Sequence, residues 1–139
     1  MKIVRGEYPP NFEEIARAIP SARQQGVIFA YGEKLYMPTG GEVSEHLMKH
    51  EALHGKRQIK MGIKKWWSQY IVDKVFRYHE ELLAHRVEYF SIINQRINRN
   101  QRRAALKYVA KRLASPLYGC GGGWKRAAAD ILKPNTPTK

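Results

Sequence analysis

The run from Trp66 to Ile93, WWSQYIVDKVFRYHEELLAHRVEYFSII, constrains the fold most, because its pattern predicts one long helix from about Ser68 to Ile93. At 100° per residue, Ile71, Val72, Val75, Phe76, Leu82, Leu83, Val87 and Phe90 occupy one broad side, while Lys74, Arg77, Glu81, His85 and Glu88 form a polar stripe opposite. A helix with so wide an apolar side has to bury it against other elements. Trp66 and Trp67, just before it, are expected to anchor that core.

The segments on either side supply the partners. Asn11 to Ile19 reads as a short helix, with Phe12, Ile15, Ala16 and Ile19 on one face and Pro20 closing it. Gly26 to Tyr31 and Lys34 to Met37 are β-prone runs around Gly32-Glu33, and glycine at the first turn position suits a type II′ hairpin. Thr39-Gly40-Gly41-Glu42 has the spacing of a capping box, so a second helix is expected to start near Glu42 and to end near Gly55, Lys56 and Arg57. Downstream, a helix from about Gln101 to Ala114, a loop through Gly123 and a last helix over Trp124 to Leu132 follow, and residues 133–139, with two prolines, are expected to fray. The length suits a single domain spanning 1–139, and the element mix predicts an α+β fold.

Composition narrows the classes of function. No stretch approaches the roughly 20 apolar residues that a bilayer crossing needs, and the N-terminus lacks an apolar run followed by a cleavage site, so a soluble protein without a secretion signal is expected. A single cysteine, Cys120, rules out an internal disulfide framework. Twenty-five basic residues against twelve acidic ones give a net charge of +13, with Arg96, Arg99, Arg102, Arg103, Lys107, Lys111 and Arg112 crowded together. Such a basic face favours phosphates and other polyanions.

The second helix carries HEALH, His50 to His54. Four helical residues rise about 6 Å and complete nearly one turn, so both imidazoles can reach one ion, while Glu51 is rotated 100° and can address a metal-bound water without ligating the metal. Zinc would lower the pKa of that water to about 7, and the glutamate would take its proton. A third ligand has to come from another element. His46 lies about 12 Å along the axis from His54 and is excluded alongside both histidines. Glu80 and Glu81 lie on the long helix, which can pack antiparallel against the first. Glu81 is the better placed, in the middle of the polar stripe, with His85 one turn on and able to hydrogen-bond a ligating side chain.

HEALH followed by EELLAHR resembles the gluzincin zinc peptidases, the thermolysin-like class with two histidines and a glutamate as ligands. The wider pattern, VIFAYGEKLYMP, HLMKHEALHGKRQ, the helix through VEYF and RLASPLYG, is similar to small metallopeptidases encoded by bacteriophages and bacteria. The resemblance implies a minimal zincin-like domain, with an N-terminal β-hairpin packed on the active-site helix, and one zinc ion per chain on His50, His54 and Glu81. It further implies Glu51 as general base, a protein or peptide substrate that can pair with the hairpin's edge strand, and a place in the bacterial cytoplasm or a phage virion. Members of the class also use a tyrosine or histidine to stabilise the oxyanion, for which Tyr118, with Tyr89 behind it, is the candidate. The chain departs from the class at His85, where thermolysin-like enzymes place an aspartate that buttresses a histidine. The competing expectation is a basic nucleic-acid-associated or virion protein with a structural or idle zinc site, acting through the region from Arg96 to Arg112.

Overall fold

The computed structural model describes residues 1–133, and its first element is one that the sequence does not advertise. Strand β1 (Lys2–Arg5) runs parallel to a later strand, pairing Ile3 with Leu35 and Val4 with Tyr36. Helix α1 (Phe12–Ala18) buries Phe12, Ile15 and Ala16, and a 3₁₀ turn over Pro20–Arg23 follows. Strands β2 (Phe29–Tyr31) and β3 (Lys34–Met37) form the expected hairpin, with Tyr31 opposite Lys34. Gly32 has φ +61° and, among the described residues, none other than glycine has positive φ, which is the type II′ signature. The hairpin is thus part of a three-stranded sheet ordered β1-β3-β2, with β2 on an edge.

Helix α2 (Glu45–Met61) begins three residues later than the capping-box spacing suggests, because Ser44 Oγ accepts the Leu47 N–H at 3.1 Å. Thr39 is spent elsewhere, accepting the Gly26 N–H at 3.0 Å, and Glu42 pairs with Arg5 at the surface. The helix also runs past Gly55 to Gly62, whose φ of +103° ends it. Gly55 serves packing instead. A Cβ there would lie 2.1 Å from the Gly32 carbonyl oxygen, so its absence lets the hairpin turn press onto the helix. Gln58, one turn beyond His54, locks this contact by accepting the Gly32 N–H at 2.7 Å and donating to the Ala30 carbonyl at 3.0 Å.

The expected long helix is two helices. Trp66 and Trp67 lie inside α3 (Ile63–Val72) and are buried as expected, and α4 (Lys74–Ile93) starts afresh after Asp73, whose Oδ1 accepts the N–H groups of Val75 and Phe76. The orientation of α4 also corrects the apolar side. None of its predicted members is fully buried, and Val72 and Val75 are 80% and 81% exposed. The side facing inward carries Arg77, Glu81, His85 and Glu88, so the polar stripe, apart from exposed Lys74, is the buried one.

Helix α5 (Arg99–Leu113) opens on a capping box between Asn98 and Gln101, a 3₁₀ turn spans Pro116–Tyr118, and α6 (Gly123–Leu132) closes the described chain. Of the tail expected to fray, all but Lys133 lies outside the described residues. Two apolar clusters result. One joins Phe12, Ile15, Phe29, Tyr36, Trp66 and Tyr70, and the other joins Tyr89, Val109, Leu113, Ala127 and Ile131. The α2 and α4 helices form the most extensive helix pair, and a layer of buried ionisable side chains lies along it. Among the described residues no helix is long and apolar enough to cross a membrane.

Candidate metal centre

The buried layer gathers the predicted site. His50 and His54 project from adjacent turns of α2 with ring centroids 5.0 Å apart. Glu81 reaches across from α4, placing Oε1 3.4 Å from His50 Nε2 and Oε2 3.1 Å from His54 Nε2. His85 is 1% exposed, stacks its ring edge to face 4.6 Å from that of His50, and donates from Nδ1 to the Glu81 carbonyl at 2.6 Å. Among the described residues the possible ligand atoms that all lie within 4.8 Å of one another belong to His50, Glu81 and His85; His54 is outside that group, with its Nε2 3.1 Å from Glu81 Oε2.

Geometry separates the alternatives. Glu80 turns away from the histidines and accepts from Arg57 Nε and Nη2 and from Trp66 Nε1, at 2.7, 2.8 and 2.7 Å. Burial would raise its pKa, yet these hydrogen bonds and the Arg57 charge bring it below the usual carboxylate value. His46 is engaged outside the cluster, with Nδ1 2.8 Å from Ser91 Oγ. Tyr89 packs in the second apolar cluster, whereas half-buried Tyr118 lines the cavity in front of the histidines.

Several members of the site carried no functional reading in the sequence. Glu88 holds His50 Nδ1 at 2.9 Å and is itself held by the Arg112 guanidinium. Burial would raise the Glu88 pKa, but the His50 hydrogen bond and the Arg112 charge bring it down to about 2. Glu88 therefore fixes the His50 ring through its Nδ1. The signal was present, since Glu88 lies seven residues after Glu81, two turns on along the same stripe. Arg112, counted in the basic face, belongs instead to this buried pair. Tyr70 donates its hydroxyl to Glu81 Oε2 at 2.6 Å, and burial and the Glu81 charge keep it protonated.

Burial and neighbouring charges displace several of these groups from their ordinary pKa values. Burial would lower the His50 pKa, but hydrogen bonds to Glu81 and Glu88 and the charges of Glu51 and Glu81 raise it to about 10. His85 goes the other way, down to about 3, through burial and the nearby His50 charge. Glu51, with Oε1 3.9 Å from His50 Nε2, is pushed up by burial against the pull of His50 and His54. Among the described residues His54 Nδ1 has no polar partner, and His54 Nε2 and Glu81 Oε1 make no well-aligned hydrogen bond, their nearest contacts being the ion pairs at 3.1 Å to Glu81 Oε2 and 3.4 Å to His50 Nε2. Unpaired polar atoms are costly in a folded interior, and imidazole nitrogens and carboxylate oxygen are the donor types that zinc takes. The residues present fit that ion.

A cavity of about 350 Å³ opens in front of the cluster, walled by Ile15, Ile19 and Ala22 on one side and by His50, Glu51 and Tyr118 on the other. Comparisons of the chain with family models, curated proteins and solved structures find no match.

Proposed function

We propose that the chain is a zinc-dependent peptidase with a gluzincin-type site in a minimal zincin-like domain. The observation that carries the reading is the convergence of buried donor atoms, with Glu81 Oε1 3.4 Å from His50 Nε2 and Oε2 3.1 Å from His54 Nε2, beside an unpartnered His54 Nδ1. His50, His54 and Glu81 would hold the ion, and His85 stands close enough to contribute a further nitrogen. When bound, zinc would acidify a water and polarise the scissile carbonyl.

The side chains do the rest. Glu88, anchored by Arg112, fixes the His50 ring by its Nδ1, so that Nε2 faces Glu81 and Glu51. Tyr70 holds Glu81 by one oxygen. Burial raises the Glu51 pKa against the pull of His50 and His54, which strengthens it as a group that takes a proton from water and returns it to the leaving amine. Tyr118 keeps its proton because the Glu81 charge, burial and the Glu51 charge all raise its pKa, so it can donate to a developing oxyanion. A substrate in the cavity lies beside β2, an edge strand whose Ala30 carbonyl is held by Gln58.

The test combines metal analysis with cleavage of a peptide library. Wild type is expected to carry one zinc per chain and to cleave peptides only without chelator. Glu51→Gln is expected to keep the zinc and lose activity by about 10²-fold or more. His54→Ala and Glu81→Gln are expected to lose the metal, whereas Glu80→Gln keeps it. Full zinc content in His54→Ala would overturn the ligand assignment, and full activity in Glu51→Gln the mechanism.

A further inference from the structure

The charge of the chain is divided unevenly. Residues 1–88 carry fourteen lysines and arginines against eleven acidic residues, whereas residues 89–139 carry eleven against one, Asp130. Most of the excess lies on α5. Arg99, Arg103, Lys107 and Lys111 recur at every fourth position, all exposed, in a row that spans about 18 Å of helix. Arg102 flanks the row and Arg96 precedes it in the connection from α4.

Among the described residues no ion pair is formed by the row, whose Lys107 lies over the Trp124 ring at 5.4 Å from its centroid. The carboxylates nearest in sequence are taken, Glu88 by His50 and Arg112 and Asp130 by Tyr78, Arg126 and Lys133. Like charges at i,i+4 weaken a helix, so the row works against the stability of α5. The first part of the helix, with Arg99 and Arg103, is exposed at every residue from Arg99 to Ala104, and Lys107 and Lys111 lie on the exposed side of the end that docks through Val109, Ala110 and Leu113. A lipid surface would need an apolar face beside the cations, and the apolar face of α5 is the one buried.

We propose that this face of α5 docks on the phosphate backbone of duplex nucleic acid. A duplex offers a line of negative charge, one per about 1.7 Å of axis, that a straight row of cations can track. The contact reads no sequence, because it is made to phosphates. It goes beyond the peptidase reading and does not depend on it.

The experiment measures binding of the full chain to a labelled 30-base-pair DNA duplex of mixed sequence by fluorescence anisotropy, between 50 and 200 mM salt. Four phosphate contacts predict a loss of affinity on the order of a hundredfold across that range. The quadruple variant Arg99→Gln/Arg103→Gln/Lys107→Gln/Lys111→Gln is expected to lose at least about tenfold in affinity at 50 mM salt and most of the salt dependence. Exposed Lys56, Lys60, Lys64 and Lys65 lie at the end of α2 and the start of α3, and changing all four to Gln removes the same charge. That control is expected to bind within about threefold of wild type, and Glu51→Gln is expected to bind as wild type does. Matching unfolding midpoints verify that both quadruple variants are folded. Three results would overturn the proposal: no binding at 50 mM salt, equal losses in the two quadruple variants, or tighter binding to phosphatidylserine vesicles than to the duplex.

Discussion

At the scale of single residues, the difference between Glu80 and Glu81 shows what a helical pattern can and cannot decide. Adjacent carboxylates point about 100° apart, so only one can face α2, and the stripe containing His85 favours Glu81. The structure brings Glu81 to both histidines and sends Glu80 to Arg57 and Trp66. The HEALH spacing and Glu81 were therefore legible. Glu88 and Arg112 were not read as a pair because they lie on different helices, and a contact between helices leaves no trace in local periodicity. Their role is open to measurement. Glu88→Gln removes the charge that orients His50, and its zinc affinity, measured by competition with a chromophoric chelator, is expected to fall about 10- to 100-fold. Unchanged affinity would show that His50 is oriented by its packing alone.

At the scale of elements, α4 departs from the rule that apolar faces turn inward. Periodicity divides the helix into two sides but does not say which is buried, and here the ionisable side is buried with hydrogen-bond partners for Arg77, Glu80 and Glu88. Arg77, for example, donates to the carbonyls of Tyr70, Ile71 and Leu117, which ties the end of α3 and the Tyr118 turn to α4. Such inversions of pattern are expected where a site, rather than a core, is being built. The break at Asp73 was legible in principle, since aspartate is a strong cap, but the apolar residues on both sides masked it. Two predictions belong here. Gly55→Ala places a methyl against the Gly32 carbonyl and is expected to cost about 1–3 kcal/mol, read as a lowered denaturation midpoint; an unchanged midpoint would mean that the hairpin moves aside freely. The second concerns α6, where Asp130 accepts from Tyr78 Oη at 2.7 Å. Burial would raise the Asp130 pKa, but bonds from Tyr78, Lys133 and Arg126 bring it below its ordinary 3.8. A lowered carboxylate pKa stabilises the fold above the unfolded-state value and ceases to do so as pH falls through the folded-state value. The stability gap between wild type and Asp130→Asn is therefore expected to be constant near neutrality and to shrink below pH 3.8. A gap independent of pH would place the effect in packing instead.

At the scale of the whole molecule, two apolar clusters flank a polar seam between α2 and α4. The α+β class followed from the sequence, but β1 did not, because a four-residue strand whose partner lies thirty residues away has no turn to announce it. The seam gathers four buried glutamates with three histidines, and a cation bound there would stabilise only the folded chain. At one hundred times its dissociation constant, zinc is expected to add about 2.7 kcal/mol, so the unfolding midpoint should fall when chelator is added. No change with chelator would show that the seam is satisfied by protons alone. The Trp66 indole lies at the border of this seam, with its ring 5.4 Å from that of His54 and its N–H on Glu80. An ion bound at His54 would alter the field across that indole, so the chain carries its own optical indicator. Titration of the unlabelled protein can thus be followed by its emission, with His54→Ala as the silent control.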